Sequence, residues 1–217
     1  MQTLYKLTDE HGYTRRGEYN QCLWGEGVSH TATGEGGLCS SGVIHAYTHP
    51  LLAVFLNPLH AAFSKPRLWE AEGVVKFSDN DLKVGCVTLR TIREITLPVV
   101  TTEQRVKFAI LCAKKIYKNE AWNKWSDRWL SGEDRMQPAA VAARAAAWEE
   151  VKAAGAARAA TWAAGAATWA AEAAAWAAWE EAGAAAREEA GAAARAAEAA
   201  AGSTSIDLIA LVEETMS

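Results

Sequence analysis

The side chains with the clearest capacity for chemistry form a Cys-His-His series early in the chain. Cys39, His45 and His49 follow one another as C-x5-H-x3-H, and a thiolate with two imidazoles is a donor set that binds zinc. The spacing matches no zinc template, and Pro50 after His49 favours an extended rather than a helical segment from His45 to Tyr47. We therefore predict no metal site and expect His45 to be a hydrogen-bonded core histidine.

A second group of polar side chains lies on the predicted strand Arg67–Glu72. Strand alternation places Glu70 and Glu72 opposite the inward-facing Trp69, so the two carboxylates either line a cleft, where they could act on a substrate, or form a solvated face. The glycines between residues 25 and 37 lack a phosphate-loop pattern and predict hairpin turns. No cofactor is predicted, and the candidate ligand-binding residues are Trp24, His45, Tyr47, Arg67 and Glu70.

Short strands and turns must position these side chains, because residues 1–100 combine strand-forming residues with frequent glycines. The predicted strands are Thr3–Leu7, Gln21–Trp24, Val28–Thr33, Val43–Tyr47, Arg67–Glu72, Val74–Phe77 and Lys83–Leu97. Pro50 predicts the first turn of a short helix with Thr48 as its N-cap.

Residues 101–135 have a helical pattern. Thr101 and Gln104 form a predicted capping box, and a second helix is expected over Asn119–Leu130, ended by Gly132. Three tryptophans share one face of that second helix, at Trp122, Trp125 and Trp129. Such a stripe is typical of a packed core rather than a binding surface.

An alanine-rich tract follows, with 37 alanines in the 63 residues from Ala139 to Ala201. Alanine favours helix, and the seven-residue spacing of tryptophans indicates lengthwise helix packing. The predicted oligomerisation residues are Trp148, Trp162, Trp169, Trp176 and Trp179. The tract is either one rod or a set of helices that fold back at its glycines, and a plain spacer is the alternative to an assembly element.

Together these patterns predict an α+β protein: a small, mostly antiparallel β domain with packed helices, followed by a long coiled-coil-like Ala/Trp-rich region. The predicted divisions are 1–100, the β-rich domain; 101–135, a helical extension packed on it; 136–202, the Ala-rich helix or hairpin; and 203–217, an amphipathic tail.

Composition excludes several functional classes. The net charge of −4 lacks the basic excess of nucleic-acid-binding proteins, so nucleic acid is not an expected partner. The N-terminal residues contain no apolar signal segment, and no span reaches the ~20 apolar residues of a membrane helix. We expect a soluble cytosolic protein whose four cysteines are reduced.

Three segments carry a family resemblance: LCSSGVIHAYTHPLLAVFLNP (Leu38–Pro58), RLWEAEG (Arg67–Gly73) and LKVGCVTLRTIREITLP (Leu82–Pro98). With the Cys-x-x-Gly-x-x-His motif and the alanine-rich continuation, they resemble an uncharacterised domain found mostly in bacteriophage and prophage proteins. The resemblance implies a small α+β domain, a phage origin and therefore the host cytoplasm as location, but no established activity.

The order of strands around the short helix is also similar to ADP-ribosyltransferase-like folds. Their Arg-Ser-Glu or His-Tyr-Glu sets have no clear equivalent here, because His45 and Tyr47 share one strand.

These observations favour a phage-encoded, non-catalytic binding protein that is oligomeric through the Ala/Trp helix. We expect it to act in counter-defence by binding a host protein or a nucleotide-like signal molecule. Two alternatives remain open: a structural, virion-associated or scaffold protein, and an ADP-ribosyltransferase-like enzyme that uses NAD.

Overall fold

The structure is a computed structural model that describes residues 2–38, 40–80, 82–154, 158–177, 184–203 and 206–217. The chain divides into two compact units, Met1–Val99 and Val100–Ser217. The first contains antiparallel sheet with one helix, and the second is helical where it is described. The predicted α+β class is therefore confirmed.

The first unit contains strands close to the predicted positions, together with one short helix. Its elements are β1 (Gln2–Thr8), β2 (Tyr13–Thr14), β3 (Cys22–Leu23), β4 (Ser29–Thr31), β5 (Ile44–Ala46), α1 (Pro50–His60), β6 (Arg67–Ser78) and β7 (Val84–Ile95). The strand β2, which pairs with β3, was not predicted.

Two predictions in this unit were wrong in detail. The N-cap of α1 is His49 rather than Thr48, because Pro50 occupies the first helical turn and His49 Nδ1 accepts a hydrogen bond from the Leu51 amide at 3.3 Å. The two strands predicted on either side of Gly73 form the single strand β6. Gly73 lies within its pairing with β7, at a point where a Cβ atom would come within 2.6 Å of the Thr88 carbonyl oxygen.

The main sheet curves back on itself through β5. The strand order is β1-β6-β7-β4, and β5 pairs with the same edge of β7 as β4 does. Immediately after β5, Tyr47 exchanges two backbone hydrogen bonds with Tyr5 of β1, each 2.8 Å long. The short strand β5 therefore connects β7 to β1, the opposite end of the sheet.

The curved sheet encloses the core of this unit. Register irregularities between β6 and β7, near Glu70, Val74 and Val75, mark bulges that increase local bending. As predicted, Trp69 points inward, and its indole N–H donates to Thr8 Oγ1 at 3.1 Å. One buried cluster consists of Leu4, Trp24, Ala46, Ala71, Val84, Cys86 and Leu89.

The second unit begins with the two predicted helices. They are α2 (Thr102–Ile116) and α3 (Glu120–Ser131). Both bonds of the predicted capping box are present, since the Thr101 amide donates to Gln104 Oε1 at 2.9 Å and the Gln104 amide donates to Thr101 Oγ1 at 3.2 Å. Gly132, with φ +82°, ends α3 as expected.

The alanine-rich tract is described as separate helices packed side by side. They are α4 (Gln137–Ala154), α5 (Arg158–Ala177) and α6 (Ala184–Ser203), followed by α7 (Leu208–Met216). Helix α5 packs against α4 and α6, and α2 packs against α5 and α6. Many alanines of α5 and α6 are fully buried, because their small side chains let helices approach closely.

The tryptophan stripe of α3 is buried, as predicted, and packs within this helical unit. The three indoles are buried, and Trp122 Nε1 donates to the Ala167 carbonyl of α5 at 3.2 Å. No helix among the described residues is both long and apolar enough to cross a membrane.

Candidate functional site

A cavity of about 750 Å³ lies beside β1, the end of β5 and the end of α1. We call it the Lys6 cavity. Four of its lining side chains are basic: Lys6, Arg15, Arg16 and Lys83. Two are acidic, Asp9 and Glu18. Its volume lies in the range of roughly 300–1,000 Å³ that is usual for small-molecule sites, and its walls carry an excess of positive charge.

Lys6 is a buried cation in this wall. The residue is 7% exposed, and its Nζ donates to the His45 carbonyl oxygen at 2.6 Å and lies 5.2 Å from the centre of the Trp24 ring. No described carboxylate forms an ion pair with it. Burial lowers the pKa of Lys6 to about 8; Cys22 and Cys86 oppose this shift, and the charge of Arg15 adds a smaller contribution in the direction of burial.

Strand alternation explains why Lys6 points inward. Leu4, Lys6 and Thr8 share one face of β1, and all three are buried. The contact between β1 and the segment after β5 then brings the His45 carbonyl within reach of the Lys6 ammonium group. The hydrogen bond and the neighbouring indole face offset part of the cost of burying that charge.

His45 contributes a half-buried imidazole to the cavity. Its Nε2–H donates to the Leu38 carbonyl oxygen. Burial lowers the pKa of His45, the bond to Leu38 opposes that change, and three nearby cations lower the pKa further: Lys6, Lys83 and Arg15. The cationic neighbours of His45 are therefore the same ones that line the cavity.

Tyr47 and His60 form an aromatic pair in the cavity wall. Tyr47 Oη and His60 Nδ1 are 3.2 Å apart, and the rings stack with centres 6.0 Å apart and an angle of 14° between their planes. Burial lowers the pKa of His60 to about 4 and raises that of Tyr47. Both rings are therefore uncharged at neutral pH.

A smaller cavity, of about 220 Å³, shares part of this wall. The two cavities have Lys6, Thr14, Arg15 and His45 in common. Trp24 lines the smaller one, where its indole N–H donates to Thr14 Oγ1 at 3.0 Å. Its ring packs edge-to-face against the His30 ring, with the ring centres 4.6 Å apart. Three of the predicted ligand-binding residues, Trp24, His45 and Tyr47, thus lie around adjoining cavities.

The other two predicted ligand-binding residues, Arg67 and Glu70, line neither cavity. Arg67 Nε donates to Glu94 Oε1 at 2.9 Å and its guanidinium stacks 4.7 Å from the centre of the Trp69 ring. Glu70 accepts a 2.6 Å hydrogen bond from Arg93. Both belong to cross-strand ion pairs between β6 and β7, so neither shares a cavity wall with His45.

The predicted oligomerisation residues occupy different surroundings. Trp148 on α4 is 50% exposed, whereas the ring of Trp169 on α5 lies under the Arg195 guanidinium at 4.4 Å. Trp162 and Trp176 are described only as backbone positions of α5, and Trp179 lies outside the described residues.

The Cys-His-His series is described only in part, because Cys39 lies outside the described residues. Among the described residues, no group of three or more His, Cys, Asp or Glu side chains is arranged to hold a metal ion.

Sequence reasoning missed Lys6, Arg15, His60 and Lys83 as cavity residues. The signal for Lys6 was present, since a lysine two residues from Leu4 lies on the apolar face of a predicted strand. Arg15 has φ +53°, a left-handed conformation that is uncommon outside glycine and concentrates at functional sites. The other two are brought to the cavity by non-local packing.

Comparisons with known proteins assign no function to the chain, so the functional proposal rests on the fold and the cavity. No protein-family model, curated protein or solved structure matches the chain. The resemblance to a phage domain therefore stays a prediction from sequence motifs.

Replacing Lys6 by methionine should change how stability depends on pH. The folded pKa of about 8 lies below the ordinary value of 10.5, so the unfolded chain binds more protons between these values and wild-type stability rises with pH across that window. The linked change is about 3 kcal/mol in the free energy of unfolding. Lys6→Met removes this rise, as urea unfolding at a series of pH values should show.

Lys65→Met is the matched control, because it removes one exposed lysine outside the cavity. We expect its unfolding free energy to run parallel to that of the wild type. If the unfolding free energy of Lys6→Met also changed with pH in parallel with that of the wild type, the result would contradict the burial of an ammonium group at Lys6.

Proposed function

We propose that the N-terminal unit binds a small anionic molecule of the nucleotide type in the Lys6 cavity. The observation that supports this is the excess of cations over acids in the cavity lining. One of the two acids is already used in a turn, since Asp9 Oδ1 accepts hydrogen bonds from the amides of His11 and Tyr13 at 2.9 and 2.8 Å. An anion would therefore relieve repulsion among lining cations.

The aromatic wall supports a ligand with a flat ring. The stacked Tyr47 and His60 rings line the same cavity as the basic residues, and aromatic faces bind heterocyclic bases by stacking. Binding without turnover agrees with the predicted role of a phage protein that captures a nucleotide-like signal of its host. On this proposal, the basic residues recognise phosphate and the neutral aromatic pair recognises the base.

Calorimetric titration with adenosine and its 5′-phosphates tests this role. We expect the phosphorylated compounds to bind at least about tenfold more tightly than adenosine, equal to ~1.4 kcal/mol. Arg15→Gln should remove much of this difference, because it deletes one lining cation. Arg93→Gln removes an exposed arginine that pairs with Glu70 outside the cavity and serves as the control.

Equal affinity for adenosine and its phosphates would contradict an anion site. The same conclusion would follow if Arg15→Gln and Arg93→Gln bound the phosphates equally well.

We further propose that the protein self-associates through α4, in a coiled-coil-like contact between two copies. Val141, Ala145 and Trp148 are exposed on α4 at spacings of four and three residues, which places them on one helix face. A tryptophan that is 50% exposed gains a large apolar burial from such a contact. Association would also multiply the ligand sites.

Trp148→Ala should weaken this association. Sedimentation velocity over a range of concentrations should show a dimer for the wild type and a shift of the monomer–dimer equilibrium toward monomer for the variant. Tyr19→Ala removes an aromatic residue that is 90% exposed in the other unit and should leave the equilibrium unchanged. A wild-type chain that stays monomeric at high micromolar concentration would contradict the proposal.

A further inference from the structure

Lys6 differs from the lysines whose partners are carboxylates. Lys65, Lys124 and Lys152 form ion pairs with glutamates, and their side chains are more than half exposed. Lys6 is buried, and the only hydrogen bond recorded for its Nζ among the described residues goes to a backbone carbonyl. Burial disfavours the ammonium form of such a lysine, and its neutral amine is a nucleophile.

We propose that Lys6 captures a small aldehyde that carries an anionic group, through a reversible imine formed within the Lys6 cavity. This inference rests on the proposed anion binding by the same cavity. The chemical class is narrower than that of a nucleotide: the ligand needs both a carbonyl carbon for Lys6 and a negative charge for the surrounding guanidinium groups.

The reaction is a condensation without a redox change. The lone pair of Nζ attacks the carbonyl carbon, and the carbonyl π electrons move to oxygen. Loss of that oxygen then forms the C=N bond, and overall the two hydrogens of the neutral amine leave with the oxygen as one molecule of water. Hydrolysis by the reverse route releases the aldehyde and restores the lysine.

The position of Nζ suits this reaction. Lys6 lines both cavities, so its side chain belongs to their shared wall. A neutral amine can keep the hydrogen bond to the His45 carbonyl with one N–H while its lone pair stays free for the ligand. Arg15 lines both cavities as well, and Arg16 lines the larger one, which gives the anionic group permanently charged partners.

Burial of Lys6 in the wall increases the fraction of neutral amine. Burial lowers the pKa of Lys6 to about 8, so a substantial fraction of the amine is unprotonated just above neutral pH. The charge of Arg15 contributes to this shift. The same arginine therefore both attracts the anion and disfavours the ammonium form of Lys6.

Three related compounds test separately whether binding needs an aldehyde and whether it needs an anionic group. Pyridoxal 5′-phosphate, used as a probe, has an aldehyde and a phosphate, pyridoxal has only the aldehyde, and pyridoxine 5′-phosphate has only the phosphate. The full chain is mixed with less than one equivalent of each compound at pH 8, reduced with borohydride, and digested for peptide mass mapping. Borohydride adds hydride to the imine carbon and leaves a stable secondary amine.

We expect Lys6 to be the principal labelled residue with pyridoxal 5′-phosphate, about tenfold above Lys65. Labelling of Lys6 by pyridoxal should be weaker by a similar factor, and excess pyridoxine 5′-phosphate should compete. Lys6→Met, which places an apolar side chain of similar length in the buried site, should lose this label, whereas Lys65→Met should keep it.

The two possible failures are distinguishable. If pyridoxine 5′-phosphate binds in calorimetry but pyridoxal 5′-phosphate labels Lys6 no faster than Lys65, the imine is excluded and the anion site stands. If neither phosphate binds and labelling follows lysine exposure, both proposals are overturned. Because the label is mapped on the wild-type chain, the conclusion does not depend on the folding of a variant.

Discussion

The paired backbones of Tyr5 and Tyr47 are the constraint on which the first unit depends. Their two hydrogen bonds join β1 to the segment that follows β5, while β5 itself pairs with β7. The sheet is thereby curved around its buried cluster, and Lys6 comes to lie against the His45 carbonyl. A strand of three residues thus determines both the shape of the sheet and the position of the only lysine among the described residues that is fully packed into a cavity wall.

Burying the positive charge of Lys6 costs free energy, and its surroundings only partly offset that cost. A buried ammonium group without a carboxylate partner is destabilising, and the backbone carbonyl and the Trp24 ring are weaker partners than an ion pair. Removing the charge by substitution is expected to stabilise the unit, so stability alone does not explain a lysine at this position. The ligand proposed above uses the charge or the amine of Lys6, and the arginines of the same cavity favour an anionic ligand.

Local patterns predicted local structure well and non-local structure poorly. The capping box of Thr101, the left-handed stop at Gly132 and the buried α3 tryptophans follow from signals within a few residues, and the structure has all of them. The pairing of Tyr5 with Tyr47 joins residues far apart in sequence, and the contact between His60 and Tyr47 depends on how α1 packs. In the alanine tract, nearly equal side chains surround each helix, so periodicity could not indicate which face packs inward.

The titration of the Lys6 amine is the most direct test of the proposed site. Nitrogen-15 NMR of the side-chain amine, assigned by comparison with Lys6→Met, measures its pKa in the intact chain. We expect a midpoint near pH 8 in the free protein and a higher midpoint when a phosphorylated compound without an aldehyde is bound, because a nearby anion favours the ammonium form. A midpoint at the ordinary 10.5 that does not respond to the anion would contradict a buried, cationic ligand site.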